Sequence, residues 1–237
     1  MNMSMKRIQA IFMKDYKEFS RNYAISTMVL LPLILAFVYN KSGASTMEMY
    51  FLPINMTLTV VTAFIQCCLI AEEKESNTLR SLMMSPASMS DILIGKSSLV
   101  FSISAIILAL TIYLVGYEPA NILVLAGALI ISIVFYLAVG TICGLYAKSV
   151  MEASVAVLPV MAVFSFGPLA LGLAEKYPIL TVAEWLPSAQ LILLAGVLDT
   201  NGTVKDILIP FIVMIAWVIL ALVVASVLFK KRMTDDE

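Results

Sequence analysis

Histidine is missing altogether from the 237 residues, so neither a metalloprotease-type zinc site nor an imidazole acid–base relay is available. Charge is scarce as well. Asp, Glu, Lys and Arg make up 13% of the chain, against about 25% in an ordinary soluble domain. The three cysteines, Cys67, Cys68 and Cys143, lie inside apolar runs; they suggest no disulfide framework and read as small packing groups. A phosphate-binding loop is lacking too. Gly95-Lys96-Ser97-Ser98 resembles the end of one, but Ser90 stands where its first glycine belongs. The stretch also opens an apolar run, where a nucleotide domain would need strand, loop and helix. Serine or aspartyl hydrolysis has no placed base or partner carboxylate. These absences set aside an intramembrane enzyme. The net charge of −1, with no single basic patch, gives no reason to expect a nucleic-acid partner.

What fills the chain instead is apolar. Hydrophobic residues reach 61% and mean hydropathy is +0.99, which predicts an all-α integral membrane protein. Six runs are long enough to cross a bilayer: 23–39, 51–71, 97–115, 122–147, 153–174 and 207–229. With short connections they consume the 237 residues, so residues 1–237 read as a single transmembrane domain with no globular domain on either side. Pro32, Pro159 and Pro168 are expected to kink their spans. Gly140 and Gly144, four apart, allow another helix to approach the fourth span closely, within one chain or between two copies. The second span carries polar side chains, Asn55, Thr59, Thr62 and Gln66, which are the candidates for lining a substrate path.

Two shorter elements flank these spans. Residues 4–21 interleave Lys6, Arg7, Lys14, Lys17 and Arg21 with Ile8, Phe12 and Phe19 on one helical face, which predicts an amphipathic interfacial helix and not a signal peptide. Residues 182–199 form a short apolar stretch that starts at Pro187-Ser188 and stops at Asp199. It is too short to cross and is expected to dip into the outer leaflet as a re-entrant helix. Lys and Arg fall unevenly. With the N-terminus inside, 12 of the 15 lie on that side and only Lys41, Lys176 and Lys205 lie outside. This bias predicts that both termini are cytoplasmic.

Residues 72–96, between the second and third spans, form a polar island: Glu-Glu-Lys-Glu-Ser-Asn-Thr-Leu-Arg-Ser-Leu-Met-Met-Ser-Pro, then Ile92-Leu93 and Gly95-Lys96. Ser76 or Asn77 can cap a short helix whose Leu79, Leu82 and Met83 fall at i, i+3 and i+4, and Ser85-Pro86 ends it. Such a helix suits a groove on a soluble partner. The island resembles the cytoplasmic coupling-helix segment of ABC-2 type transporter permeases, through Glu73, Glu75, Thr78, Leu79, Leu82, Met83, Pro86, Ile92, Leu93, Gly95 and Lys96. Asn77 replaces a usual Gly, and Arg80 replaces a usual Glu, so charge pairing at Arg80 is not carried over.

The resemblance extends over the six-span layout and implies a permease subunit. It implies two cytoplasmic ABC ATPase subunits as partners, which supply ATP and Mg while this chain holds no cofactor and is no enzyme. It further implies a second permease copy, identical or related, and export across the cytoplasmic membrane of a bacterium or archaeon. Glu73, Glu75, Thr78, Leu79, Arg80, Leu82, Met83 and Pro86 become the expected coupling residues. The apolar walls and small outer loops suit a hydrophobic or amphipathic cargo such as a drug, an antimicrobial or other peptide, or a lipid-like molecule. An ion-coupled transporter or channel is the competing class. It would usually carry ionisable residues at mid-span, and none is found there.

Overall fold

The structure is a computed structural model that describes residues 5–43, 45–76, 89–173, 177–200 and 202–235. Among the described residues nearly all are helical and none is in a strand. Helix α1 is Met5–Arg21. Among the described residues, six further helices are long and apolar enough to cross a membrane: α2 (Tyr23–Lys41), α3 (Met47–Glu75), α4 (Met89–Val115), α5 (Ile122–Tyr146), α6 (Val150–Gly172) and α8 (Val204–Asp235). Between α6 and α8 a 3-10 turn, Pro178–Trp185, meets α7 (Pro187–Asp199) at 87°.

Capping residues explain why α3 and α6 start earlier than hydropathy alone suggests, and fix the start of α5 where it was expected. Thr46 accepts from Met49 N–H, so α3 begins four residues before the expected Phe51. Asn121 accepts from Leu123 and Val124 N–H at the start of α5, and Ser149 from Glu152 N–H at the start of α6. Each satisfies a backbone donor that the first turn leaves open. After α4, Gly116 takes φ +76°, the left-handed turn that lets the chain reverse within six residues. Non-α backbone gathers near the prolines. Residues Thr27–Val29 are 3-10 ahead of Pro32, the helix breaks at Val157 ahead of Pro159, and Gly167–Leu173 is 3-10 around Pro168. A missing N–H and the ring's clash with the preceding turn produce this.

The bundle is organised around α3. Its best apolar window is 94% buried, against 17% for α2, α6 and α8. Helix α5 closes on α3 through two missing side chains. A Cβ at Gly140 would stand 2.4 Å from Ala63 O, and one at Gly144 2.7 Å from Cys67 O. The Gly140/Gly144 pair therefore serves packing inside this chain. Between Thr57 and Phe64, α3 widens into a π-helix. There the hydroxyls of Thr57 and Thr59 bond back to Pro53 O and Asn55 O, an arrangement that loosens the regular ladder. Helix α7 is buried over most of its length, from Pro187 to Leu198. Trp217 of α8 holds the preceding bend by donating to Trp185 O at 2.7 Å.

Candidate functional site

The polar chemistry gathers at the end of the bundle where α1 lies. Ile8, Phe12 and Phe19 mark one face of α1, and Asp15 falls into the same stripe at the i+7 position. An acid within an apolar stripe needs a partner when it is buried. Helix α1 reaches that partner because α4 offers a glycine. A Cβ at Gly95 would stand 2.9 Å from the Ile11 Cβ, so α1 crosses α4 in close contact. One residue on, Lys96 is 1% exposed and Asp15 0%. Lys96 Nζ donates to Asp15 Oδ1 at 3.3 Å and to Glu73 Oε1, on α3, at 2.9 Å. Lys14 also donates to Glu73, and it pairs with Glu18 at 3.4 Å. Three elements are thus joined by one chain of opposite charges.

Desolvation dominates its electrostatics. Burial raises the Asp15 carboxyl to about 6, although Lys96 opposes that shift; the nearby Glu73 carboxylate adds to it. Asp15 Oδ2 has no hydrogen-bond partner in the described structure. Asp15, Glu18 and Glu73 bring carboxylate oxygens within 4.8 Å of one another. Those three could hold a divalent cation by spacing, but two lysine ammonium groups already sit among them.

The next two residues after Glu73 make equally specific contacts. Lys74 Nζ donates to Leu145 O at 2.7 Å and to Ala147 O at 2.6 Å, where α5 ends. A cation there satisfies terminal carbonyls and complements the negative end of the helix dipole. Glu75 Oε2 accepts from Val150 N–H at 2.8 Å, the first residue of α6. An anion there complements the positive end. Within Glu73-Lys74-Glu75, successive side chains fasten α3 to α1 and α4, to α5, and to α6. Immediately beyond comes the segment 77–88. Six of the expected coupling residues, Thr78, Leu79, Arg80, Leu82, Met83 and Pro86, lie outside the described residues. Glu73 and Glu75 are described and engage other parts of the same chain.

The four path candidates are all buried on α3. Thr59 bonds Ser165 of α6 at 2.6 Å, Thr62 bonds Ser104 of α4 at 2.8 Å, and Gln66 Nε2 donates to Thr141 of α5 at 3.0 Å. Asn55 has neither side-chain atom hydrogen-bonded in the described structure. Three of the four therefore stitch α3 to its neighbours. The cysteines are free, and Cys67 points its thiol at Ala153 O.

Sequence reasoning missed Asp15, Lys14 and Lys74. The readable signal for Asp15 was its place in the apolar stripe of α1. Lys74 carried none, since its acceptors are backbone carbonyls 71 and 73 positions away. The chain matches no family model and no curated protein.

Proposed function

We propose that this chain is the membrane-spanning subunit of an ATP-driven exporter of the ABC-2 permease kind. The observation that carries the reading is the anchoring of Glu73-Lys74-Glu75, at the root of segment 77–88, to α1, α4, α5 and α6. A segment that receives a push from a soluble engine must be rigidly joined to the helices it is to move. These ion pairs and helix-end contacts provide that joint.

On this reading the end carrying α1 faces the cytoplasm, in keeping with the distribution of Lys and Arg. Helix α1 lies along the inner interface with its basic residues toward headgroups, and its apolar face meets α4. The bent pair of Pro178–Trp185 and α7 is a re-entrant element of the outer leaflet. Two cytoplasmic ABC ATPase subunits bind ATP and Mg and engage Leu79 and Leu82. A second permease copy completes the assembly, and the cargo is hydrophobic or amphipathic. Nucleotide closure of the ATPases displaces 77–88, and the joint passes the motion to α1, α5 and α6 together.

The deciding experiment is co-purification with the ATPase. Burying a leucine in a groove contributes about 1.5–3 kcal/mol, whereas an exposed ion pair contributes about 0–1 kcal/mol. Leu79→Asp with Leu82→Asp should therefore leave an inserted permease that no longer retains its ATPase or transports, while Arg80→Ala weakens association only modestly. Retention of the ATPase at the wild-type ratio by the double variant would end the assignment.

A further inference from the structure

Helix α1 is held to the bundle by little. Among its described residues only Ile11, set against Gly95, and Asp15 are fully buried, with Ile8, Phe12 and Phe19 half-buried beside them. At its far end Asn22, at φ −90° and ψ 84°, interrupts the helix for one residue before α2 begins. A helix with few buried contacts and a break at its root can part from its neighbours while they stay folded.

One of its two buried holds is a carboxyl, and that carboxyl sits among others. The charged groups gathered there are Lys96 on α4, Glu72 and Glu73 on α3, and Lys14, Asp15 and Glu18 on α1 itself. Carboxyls therefore outnumber ammonium groups. One oxygen each from Asp15, Glu18 and Glu73 lies within 4.8 Å of the others, and like charges at that range disfavour the ionisation of one of them.

Contacts decide which one. Glu73 Oε1 accepts from both Lys14 and Lys96, and Glu18 is about a third exposed and paired with Lys14. Asp15 is 0% exposed, meets Lys96 only at 3.3 Å through Oδ1, and has no hydrogen-bond partner for Oδ2 in the described structure. A bare buried oxygen costs far less on a neutral carboxyl than on a carboxylate. With Asp15 neutral, Glu18 and Glu73 match Lys14 and Lys96 one for one. Glu72 also leaves Oε2 bare, but its side chain is half-buried, which makes it the rival for the same proton. Desolvation holds the Asp15 carboxyl at about 6. We propose that Asp15 is a proton-binding site whose occupancy fastens α1 to α4, and whose ionisation lets α1 swing out about Asn22, independently of the transport reading. Water reaches the ionised carboxyl only where α1 has parted from α4.

The test is the distance between spin labels on Met13→Cys and Ile106→Cys, at positions 45% and 61% exposed on α1 and α4, in the full chain freed of its native cysteines. A longer distance should grow at the expense of the short one between pH 4 and 6 and level off above. The ratio of long to short should rise by up to about tenfold per pH unit, since the docked carboxyl titrates at about 6 and the released one at an ordinary 3.8. Asp15→Asn should hold the distances at their acid pattern at every pH, while Glu72→Gln should leave the transition in place. A single distance at all pH in the labelled chain, a transition that survives Asp15→Asn, or one abolished by Glu72→Gln would each overturn the proposal. Should Asp15→Asn not insert, the labelled chain without it decides by the presence or absence of the transition, and Glu72→Gln still separates the two carboxyls.

Discussion

Lys96 and Glu73 lie 23 positions apart in sequence and 2.9 Å apart in space, each 1% exposed. They tie the end of α3 to α4 about two turns inside it, in a shared, water-poor ion pair. Removing one member of such a pair leaves a buried charge uncompensated, which costs about 3–5 kcal/mol. Lys96→Ala should therefore lower the thermal unfolding midpoint sharply in detergent. The triple change Lys96→Met, Glu73→Gln and Asp15→Asn, which leaves neither carboxylate facing the gap, should recover much of that loss. A triple variant no more stable than Lys96→Ala alone would show that this ion cluster is not what matters there.

The carboxyl of Asp15 gives the joint a pH dependence whose sign is fixed. Burial holds it at about 6, above an ordinary 3.8, so between these values the folded chain binds a proton that the unfolded chain releases. The Asp15 contribution to stability is therefore fully present below about pH 4 and is lost as pH rises through about 6. Unfolding midpoints taken from pH 4 to 8 for the wild type and for Asp15→Asn should diverge over that window. The wild type should gain on acidification relative to the variant. A constant difference would remove the effect.

Close packing of α5 on α3 is testable at one atom. Ala at position 140 would place its Cβ 2.4 Å from a backbone carbonyl, and the helices must part to admit it. Overpacking of this kind costs about 1–3 kcal/mol. Gly140→Ala should therefore destabilise the chain, whereas Gly196→Ala, whose Cβ would meet nothing within 4 Å, should leave the midpoint near that of the wild type.

The proposed sidedness rests on the placement of Lys and Arg. Single cysteines at Ser45 and Gly202, in a Cys-free background, should react with an impermeant thiol reagent on intact cells, and one at Ser76 should react only after lysis. Labelling at Ser76 before lysis would invert the proposed orientation.

The sequence carried the spans because each is a long apolar run, and it carried the start and stop of α7 because Pro187 and Asp199 punctuate it. Helix starts were less legible. Thr46 and Ser149 extend α3 and α6 beyond their hydrophobic stretches through single side-chain caps, and hydropathy does not register a cap. The joint was half legible. Glu73, Glu75, Gly95 and Lys96 stood out as a pattern, but Gly95 meets Ile11 and Lys96 meets Asp15 only because α1 folds back across α4. That contact spans 81 positions and has no local trace. The polar residues of α3 were visible as a set. Their partners on three other helices were not, since hydroxyl pairs such as Thr59 with Ser165 depend on which faces the bundle brings together.

The burial of α3 bears on how such a chain can meet a copy of itself. A helix enclosed over 94% of its apolar window has no free side to lend to a seam, whereas α2, α6 and α8 each turn most of their surface outward. If two copies assemble as proposed, contact between them falls to α2, α6 and α8 and to the outward faces of α4 and α5, and not to α3. Anything passing along the seam touches Thr59, Thr62 or Gln66 only after hydroxyl and amide bonds inside one protomer have been exchanged for bonds to the traveller. Under the proposed export reading, the innermost helix would act as a latch undone and remade on each cycle, with its small polar groups setting how readily that happens.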